Sequence, residues 1–212
     1  MEQHILAPGL NGSELIKSLG LHGKNCFNLY IDNGVSLAKE ALIRAGIAIT
    51  QHVITPEEEV ILFTQALQGI RYFGTVKYAD VQKIASAVRT MRVMIGAGEE
   101  HTQIQGNLGK GIFQEKNQAL WQVYEAYMQL LEVRKWTDTI QIIRRAIAEC
   151  EAWEQPVTVL EEYPLTPLER ALAETLSGGK VRIVSFRALY QAEQKPTKVA
   201  SIRMCYGMAN EV

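Results

Sequence analysis

The 212-residue sequence lacks several features that would assign it to a functional class at once. Its three cysteines, Cys26, Cys150 and Cys205, are far apart and odd in number, so they predict neither a disulfide framework nor a zinc site. They fit buried thiols in a reducing compartment. The N-terminus lacks a basic region followed by an apolar core, so no signal peptide is predicted. We therefore expect a cytoplasmic protein.

Long apolar runs and an excess of one charge are also missing. No run approaches the ~20 residues that cross a membrane, so we expect no membrane contact. The formal net charge is −1, and the chain as a whole carries no basic signal for nucleic acid. Any contact with nucleic acid would have to be local or be made by another part of a complex.

A phosphate-binding P-loop of the form G-x-x-x-x-G-K-[ST] is absent as well. The nearest strings are "APGLNGSE", with serine in place of lysine, and "GNLGKGIF", with the wrong spacing and no preceding strand. "LSGGK" (176–180) resembles the signature loop of ABC transporters, but its glycines follow a helix and fit a C-cap. The histidines are scattered, so no metal site is predicted: His4, His22, His52 and His101.

The sequence does contain strand and helix patterns that alternate at both ends of the chain. Five runs are predicted as strands: "HILAP", "CFNLYI", "VTVLEE", "KVRIVSF" and "VASIRMCYG". The alternation predicts an α/β fold, with a parallel sheet that carries helices on both faces. Residues 1–50 and 155–212 would form this sheet domain. Residues 51–154 show no convincing strand and would form an all-helical insertion.

Local signals mark several helix ends. "TPEE" (55–58) and "TPLE" (166–169) both predict a capping box, in which a threonine and a glutamate exchange hydrogen bonds with the backbone. Asp138 is expected to cap the next helix, reinforced by Gln141. Between these caps, "KNQALWQVYEAYMQLLEVRKW" predicts a helix with one apolar face, formed by Leu120, Val123, Tyr124, Tyr127, Leu130 and Leu131.

Two adjacent glutamates, Glu161 and Glu162, follow the apolar run "VTVL". Many nucleotide hydrolases end a core strand in acidic residues, because Mg²⁺ and the attacking water need carboxylates beside the phosphates. Strand ends are also often charged simply because they reach solvent. The pair alone therefore leaves a nucleotide site and a solvated strand end both open.

The order of the surrounding segments resembles superfamily 1 helicases of the UvrD type. There a helix of the form Y-x-x-Y-x-x-x-L precedes an acidic turn and an aliphatic helix. Residues 120–143, "LWQVYEAYMQLLEVRKWTDTIQII", follow this order, with Tyr124, Tyr127, Leu131 and Asp138 at the matching positions. The family's D-F-D-D run is reduced to "WTDT". This segment is the strongest part of the resemblance.

The resemblance continues through the glutamate strand, where the helicases have the Mg²⁺-binding sequence V-D-E-[YF]-Q-D-T. Glu161 stands at the position of the Mg²⁺-binding aspartate, Glu162 at that of the catalytic glutamate, and Tyr163 at that of the aromatic residue. Pro164 and Leu165 replace the Gln–Asp pair, and the P-loop strand is missing. The resemblance therefore implies a degenerate Mg²⁺ motif with no catalytic residue, and we expect no ATP hydrolysis.

This degraded pattern is similar to the helicase-like N-terminal region of AddB-type helicase–nuclease subunits and of PD-(D/E)xK nuclease family proteins. It implies a RecA-like core with a helical insertion and no cofactor in this segment. It also implies a non-catalytic module in DNA repair or recombination, which guides single-stranded DNA and contacts a motor helicase subunit. The sequence leaves open whether a nuclease domain follows Val212.

Guidance of a single strand would use basic residues and stackable aromatics along a groove. The candidates in the helical part are Arg71, Tyr72, Arg89, Arg92, Lys110 and Lys116. The alternative hypothesis is a protein-interaction scaffold without direct DNA contact, which the near-zero net charge favours. Basic residues on one face would indicate DNA, whereas an exposed apolar patch would indicate a protein partner.

Overall fold

The computed structural model describes residues 3–9, 29–96 and 113–188. The chain divides into two compact units. One, called the sheet unit here, comprises Met1–Leu37, Glu151–Leu165 and Ala173–Val212. The other, the helical unit, comprises Ala38–Cys150 and Thr166–Leu172.

In the described residues, strands and helices alternate at both ends of the chain, as the sequence predicts. In chain order the elements are β1 (Gln3–Leu6), β2 (Leu29–Asp32), α1 (Gly34–Arg44), β3 (His52–Val53), α2 (Pro56–Ala66), α3 (Tyr78–Gly96), α4 (Gln114–Arg134), β4 (Trp136–Thr137), α5 (Thr139–Glu149), β5 (Val157–Leu160), α6 (Pro167–Leu176) and β6 (Arg182–Val184). Residues 97–112 lie outside the described part.

A four-stranded parallel sheet forms the frame of the sheet unit. Its strand order is β2-β1-β5-β6, and every neighbouring pair is parallel. The predicted α/β class is therefore confirmed, as are four of the five predicted strands. The fifth, "VASIRMCYG", lies outside the described residues.

The central strands show no alternation of buried and exposed residues, because both of their faces are buried. All four residues of β5 are buried, and so are His4, Ile5 and Leu6 of β1. Strands of a parallel sheet are commonly enclosed in this way, which removes the polar face that antiparallel strands show. The polar side chains of His4 and Thr158 therefore lie inside the protein and need partners there.

Helices α2, α3 and α4 pack around one apolar core in the helical unit. The rings of Phe63 on α2 and Tyr127 on α4 stack at its centre, with centroids 4.3 Å apart and planes within 9° of parallel. The predicted apolar face of α4 is confirmed: Leu120, Val123, Tyr124, Tyr127 and Leu131 are buried, and Leu130 is partly buried against the core.

The expectation of a strand-free helical segment is corrected at one place. Strands β3 and β4 form a short parallel ladder that pairs His52 with Trp136 and Val53 with Thr137. The backbone amide of Ile54 continues it by donating to the carbonyl of Thr137. A strand of two residues is too short to leave a periodic pattern, so sequence analysis misses it.

The predicted helix caps are confirmed. Thr55 and Glu58 form the reciprocal capping box of α2, with Pro56 in its first turn. Thr166 and Glu169 exchange the equivalent hydrogen bonds ahead of α6. The double glycine after α6 has positive φ angles of 58° and 78°, and the amide of Gly179 donates to the carbonyl of Glu174. This geometry is a C-cap, as the sequence predicts.

Neighbouring residues of α2 provide a test of this core. Leu62 is fully buried, whereas the side chain of Ile61 beside it is 54% exposed. We expect Leu62→Ala to lower the free energy of unfolding by about 2–5 kcal/mol, because it leaves a cavity in the core. Ile61→Ala should change it by about 0.5 kcal/mol or less. Urea unfolding followed by circular dichroism measures both, and equal losses would contradict the packing described.

Candidate functional site

The predicted acidic pair lies where β5 ends. Both carboxylate oxygens of Glu162 lie 2.8 Å from the backbone nitrogen of Phe186, which donates to them. Two residues on, the amide of Ala188 donates to the hydroxyl oxygen of Ser185. Glu162 therefore links the residues that follow β5 to the turn that follows β6, and its negative charge satisfies a main-chain donor at the start of a helical turn.

Glu161 has a different environment. Its side chain is exposed, and its backbone amide donates to the carbonyl of Val184, which extends the pairing of β5 with β6. Within the described residues, no three His, Cys, Asp or Glu side chains are grouped so that they could hold a metal ion. Both glutamates are exposed, and Glu162 differs in that its carboxylate also accepts the hydrogen bond from Phe186.

His4 is a buried polar residue, and its burial is not predicted from the sequence, where it is only one of four scattered histidines. It lies opposite Tyr30 in the parallel pairing of β1 with β2, and the two rings stack with centroids 4.7 Å apart. Asp32, two residues beyond Tyr30, is on the same face of its strand. The Nδ1 atom of His4 is 3.1 Å from its carboxylate. These side chains meet only because of the register of the two strands, so no local sequence pattern predicts their contact.

The densest polar cluster of the described residues is in the helical unit and centres on Asp138. Two nitrogens of the Arg92 guanidinium donate to its carboxylate, at 2.5 and 2.9 Å. The hydroxyl of Tyr127 donates to the same carboxylate at 2.9 Å. Arg92 and Asp138 are only 1% and 4% exposed. This is a bidentate ion pair that is shielded from water, with a third donor from α4.

Asp138 also caps α5, as predicted, because the backbone amide of Gln141 donates to its Oδ1 atom at 2.9 Å. One carboxylate thus binds side chains from α3 and α4 and the first turn of α5. The guanidinium of Arg92 additionally lies 5.1 Å from the centre of the Tyr127 ring, within the range of a cation–π contact. We call Arg92, Tyr127 and Asp138 the buried ion cluster.

Protonation states in the cluster follow from its geometry. Burial alone would raise the pKa of Asp138, but the charge and hydrogen bonds of Arg92, aided by Gln141 and Tyr127, outweigh it and lower that pKa. Burial is also the largest influence on Arg92, yet Asp138 raises the Arg92 pKa overall. Burial, followed by the negative charge of Asp138, raises the pKa of Tyr127. The cluster is therefore an arginine cation, a carboxylate and a neutral phenol.

The six candidate nucleic-acid contacts have different environments. Arg92 belongs to the buried ion cluster, so it is not available to a phosphate. Arg89 is partly exposed but engages Glu59 through hydrogen bonds of 2.6, 3.0 and 3.1 Å. Arg71, Tyr72 and Lys116 are exposed, and the first two are neighbours in the segment between α2 and α3. Lys110 lies outside the described residues.

A surface hollow beside α4, here called the α4 groove, is a second feature that sequence reasoning misses. It encloses about 460 Å³ and is lined by Gln51, Tyr124, Glu125, Met128, Gln129, Glu132, Trp136 and Gln141. These residues come from one stripe of α4 and from the segments around β3, β4 and α5. The helical spacing of the α4 residues is visible in the sequence, but the opposing wall depends on the unpredicted β3–β4 ladder.

Comparison with known proteins assigns the chain to no family. No protein-family model matches the chain, and no curated protein matches it significantly. Among the described residues, every helix is too short or too polar to span a membrane.

The buried ion cluster gives a prediction about stability. Asp138→Asn keeps a side-chain oxygen that can cap α5, but it leaves the charge of Arg92 buried without a counter-charge. We expect the free energy of unfolding at neutral pH to fall by about 3–5 kcal/mol. Tyr127→Phe removes one hydrogen bond to the carboxylate and should cost about 1.5–3 kcal/mol.

The matched control is Glu40→Gln, which removes the carboxylate of an exposed pair with Arg44 on α1. Exposed pairs of this kind contribute less than about 1 kcal/mol, so this variant should unfold almost as wild type does. Denaturant unfolding measures all three variants. A loss for Asp138→Asn no larger than that for Glu40→Gln would show that the cluster does not stabilise the fold.

The lowered pKa of Asp138 also predicts a pH dependence. The Asp138 carboxylate is protonated at a higher pH in the unfolded chain than in the folded one. Its contribution to the free energy of unfolding is therefore complete above about pH 5. It is lost as the pH falls through about 4 toward the folded pKa. The difference in unfolding free energy between wild type and Asp138→Asn should therefore shrink on acidification. A difference that stays constant from pH 6 to pH 3 would contradict this assignment of charge.

Proposed function

We propose that this chain is a non-catalytic, helicase-like module of a DNA repair or recombination helicase–nuclease, and that it acts in the cytoplasm. The observation that carries the proposal is the position of the residues on which the resemblance rests. Tyr124, Tyr127 and Leu131 belong to one core, and Tyr127 donates to Asp138. The Y-x-x-Y-x-x-x-L helix and its acidic turn therefore act as one structural element, which supports reading them as a shared architectural motif.

A non-catalytic role is supported by the chemistry available at the degenerate Mg²⁺ motif. Phosphoryl transfer depends on positioning and charge neutralisation of the phosphates, and the sequence has no P-loop amides or lysine to supply either. Glu162 is the residue that stands in the place of the catalytic glutamate. Its carboxylate accepts a hydrogen bond from the amide of Phe186, which is a structural use of the same charge.

In this proposal the module guides single-stranded DNA and contacts a motor subunit of the helicase–nuclease. The candidate DNA contacts are now the exposed ones, Arg71, Tyr72 and Lys116. Tyr72 is 50% exposed, so its ring is available for stacking on a base. Arg89 and Arg92 are set aside because their charges are engaged by Glu59 and Asp138.

A protein-interaction scaffold is the second candidate, and the α4 groove favours it. The charged side chains that line this groove are the carboxylates of Glu125 and Glu132. Such a surface repels a phosphate backbone, whereas it suits a basic protein segment. The two candidates are separated by asking whether the chain binds single-stranded DNA at all.

The DNA-guiding role predicts weak, salt-sensitive binding of oligo-dT by the 212-residue chain. Replacing both Arg71 and Tyr72 by alanine should weaken binding on the order of tenfold, because it removes one phosphate contact and one stacking contact. Fluorescence anisotropy of labelled oligo-dT at several salt concentrations measures this. The control is Lys83→Ala, which removes an exposed positive charge on α3 that is not among the candidates.

Binding that is absent at low salt would remove the DNA-guiding role and leave the scaffold as the proposed function. Binding weakened equally by Lys83→Ala would indicate general charge attraction instead of a defined path. Mg·ATP turnover above background by the purified chain would contradict the non-catalytic assignment. In that case Glu162→Gln should abolish the turnover, because the resemblance places it at the catalytic position.

A further inference from the structure

The α4 groove combines a shape and a set of side chains that the proposed DNA-guiding role does not use. Its floor follows a stripe of α4 at the i, i+3, i+4 and i+7 positions: Glu125, Met128, Gln129 and Glu132. Trp136 of β4 and Gln141 of α5 contribute further lining. Every lining residue belongs to the helical unit, so the groove is complete within one compact body.

The charge of the groove lining has one sign. Glu125 and Glu132 are both exposed, and no lysine, arginine or histidine is among the lining residues. Three glutamine amides, from Gln51, Gln129 and Gln141, add neutral hydrogen-bonding groups. A positively charged group is therefore complementary to this surface, and a phosphate is not.

Aromatic and thioether side chains complete the lining. Tyr124 and Trp136 present rings, and Met128 presents a polarisable sulfur. A guanidinium can stack on an aromatic face while its N–H groups reach a carboxylate, which a lysine ammonium does less well. The indole of Trp136 already receives one guanidinium, because Arg134 lies 4.9 Å from its ring centre. Because Trp136 lines the groove and Arg134 does not, an incoming arginine would contact the part of the indole that faces the groove.

The arginine that contacts Trp136 does not fill the groove. Arg134 donates to the side-chain oxygen of Gln65 at 2.6 Å, which holds it against α2, and it is not among the lining residues. Within residues 3–9, 29–96 and 113–188, no lysine, arginine or histidine lines the groove, which leaves it open to a cation from another molecule. The volume of about 460 Å³ is large enough for one long side chain and a short stretch of the backbone that carries it.

From these observations we propose that the α4 groove binds an arginine side chain from a basic segment of a protein partner. Glu132 pairs with the guanidinium, and Trp136 and Tyr124 pack against it. Glu125 lies two helical turns from Glu132 and attracts a neighbouring basic side chain of the same segment. The glutamine amides bind the neighbouring backbone. This docking site does not depend on the helicase-like assignment. The docking site would serve a motor-subunit contact and a scaffold equally. The experiment below can therefore exclude the docking site without excluding the DNA-guiding role, and the DNA-binding experiment can exclude that role without excluding the docking site.

The test uses the 212-residue chain and a fluorescein-labelled hexa-arginine peptide, with fluorescence anisotropy as the measure of binding. We expect Glu125→Gln/Glu132→Gln to weaken binding on the order of tenfold, since two exposed ion pairs are lost while size and hydrogen bonding are kept. The matched control is Glu115→Gln/Glu154→Gln, which removes two exposed carboxylates outside the groove. It should change the dissociation constant by less than about twofold.

The location of binding is read independently from the NMR signal of the Trp136 indole N–H, assigned by its disappearance in Trp136→Phe. Hexa-arginine should shift this signal, and hexa-lysine should bind several-fold more weakly. The proposal is overturned if the control variant weakens binding as much as the groove variant does, or if the Trp136 signal does not move. It is equally overturned if hexa-lysine binds as tightly, or if oligo-dT shifts the signal, which would make the groove a nucleic-acid surface.

Discussion

The carboxylate of Asp138 is the point on which the arrangement of the helical unit depends. It accepts hydrogen bonds from Arg92 on α3, from Tyr127 on α4 and from the first turn of α5. Removing a carboxylate and a guanidinium from water costs several kcal/mol, which their attraction offsets only when the geometry is good and the remaining lone pairs are satisfied. Three helices are therefore fixed relative to one buried charge.

The ion cluster also connects the polar and apolar parts of this unit. The ring of Tyr127 lies beside the Arg92 guanidinium and also stacks on the ring of Phe63 in the core. A shift of α4 along its axis would disturb the stacking and the hydrogen bond to Asp138 together. Apolar packing tolerates small displacements, whereas a bidentate ion pair has a narrow geometry. We infer that the core supplies most of the stability and that the cluster selects one packing of it.

The sequence predicts the features of this fold that depend on neighbouring residues, and it misses those that depend on distant ones. The capping boxes at Thr55 and Thr166 are encoded within four residues, and the buried strands within runs of four to six. Arg92 is different, because a charged residue on a helix is ordinarily solvated. Only Asp138, a residue distant in the chain, explains its burial. The His4–Asp32 contact and the β3–β4 ladder likewise arise from pairings between distant segments.

The distribution of charge follows from these internal contacts and bears on what the molecule can bind. Arg92 and Arg89 are engaged by Asp138 and Glu59, so two of the cations that sequence reasoning offers to a partner are used by the fold itself. Glu162 is likewise engaged by a main-chain amide and Glu125 by the indole N–H of Trp121, although both residues, like Glu132, are exposed. Charge that is already paired contributes little to recognition. A partner that enters the α4 groove therefore meets a lining whose charged side chains, Glu125 and Glu132, are negative, although the chain as a whole is almost neutral.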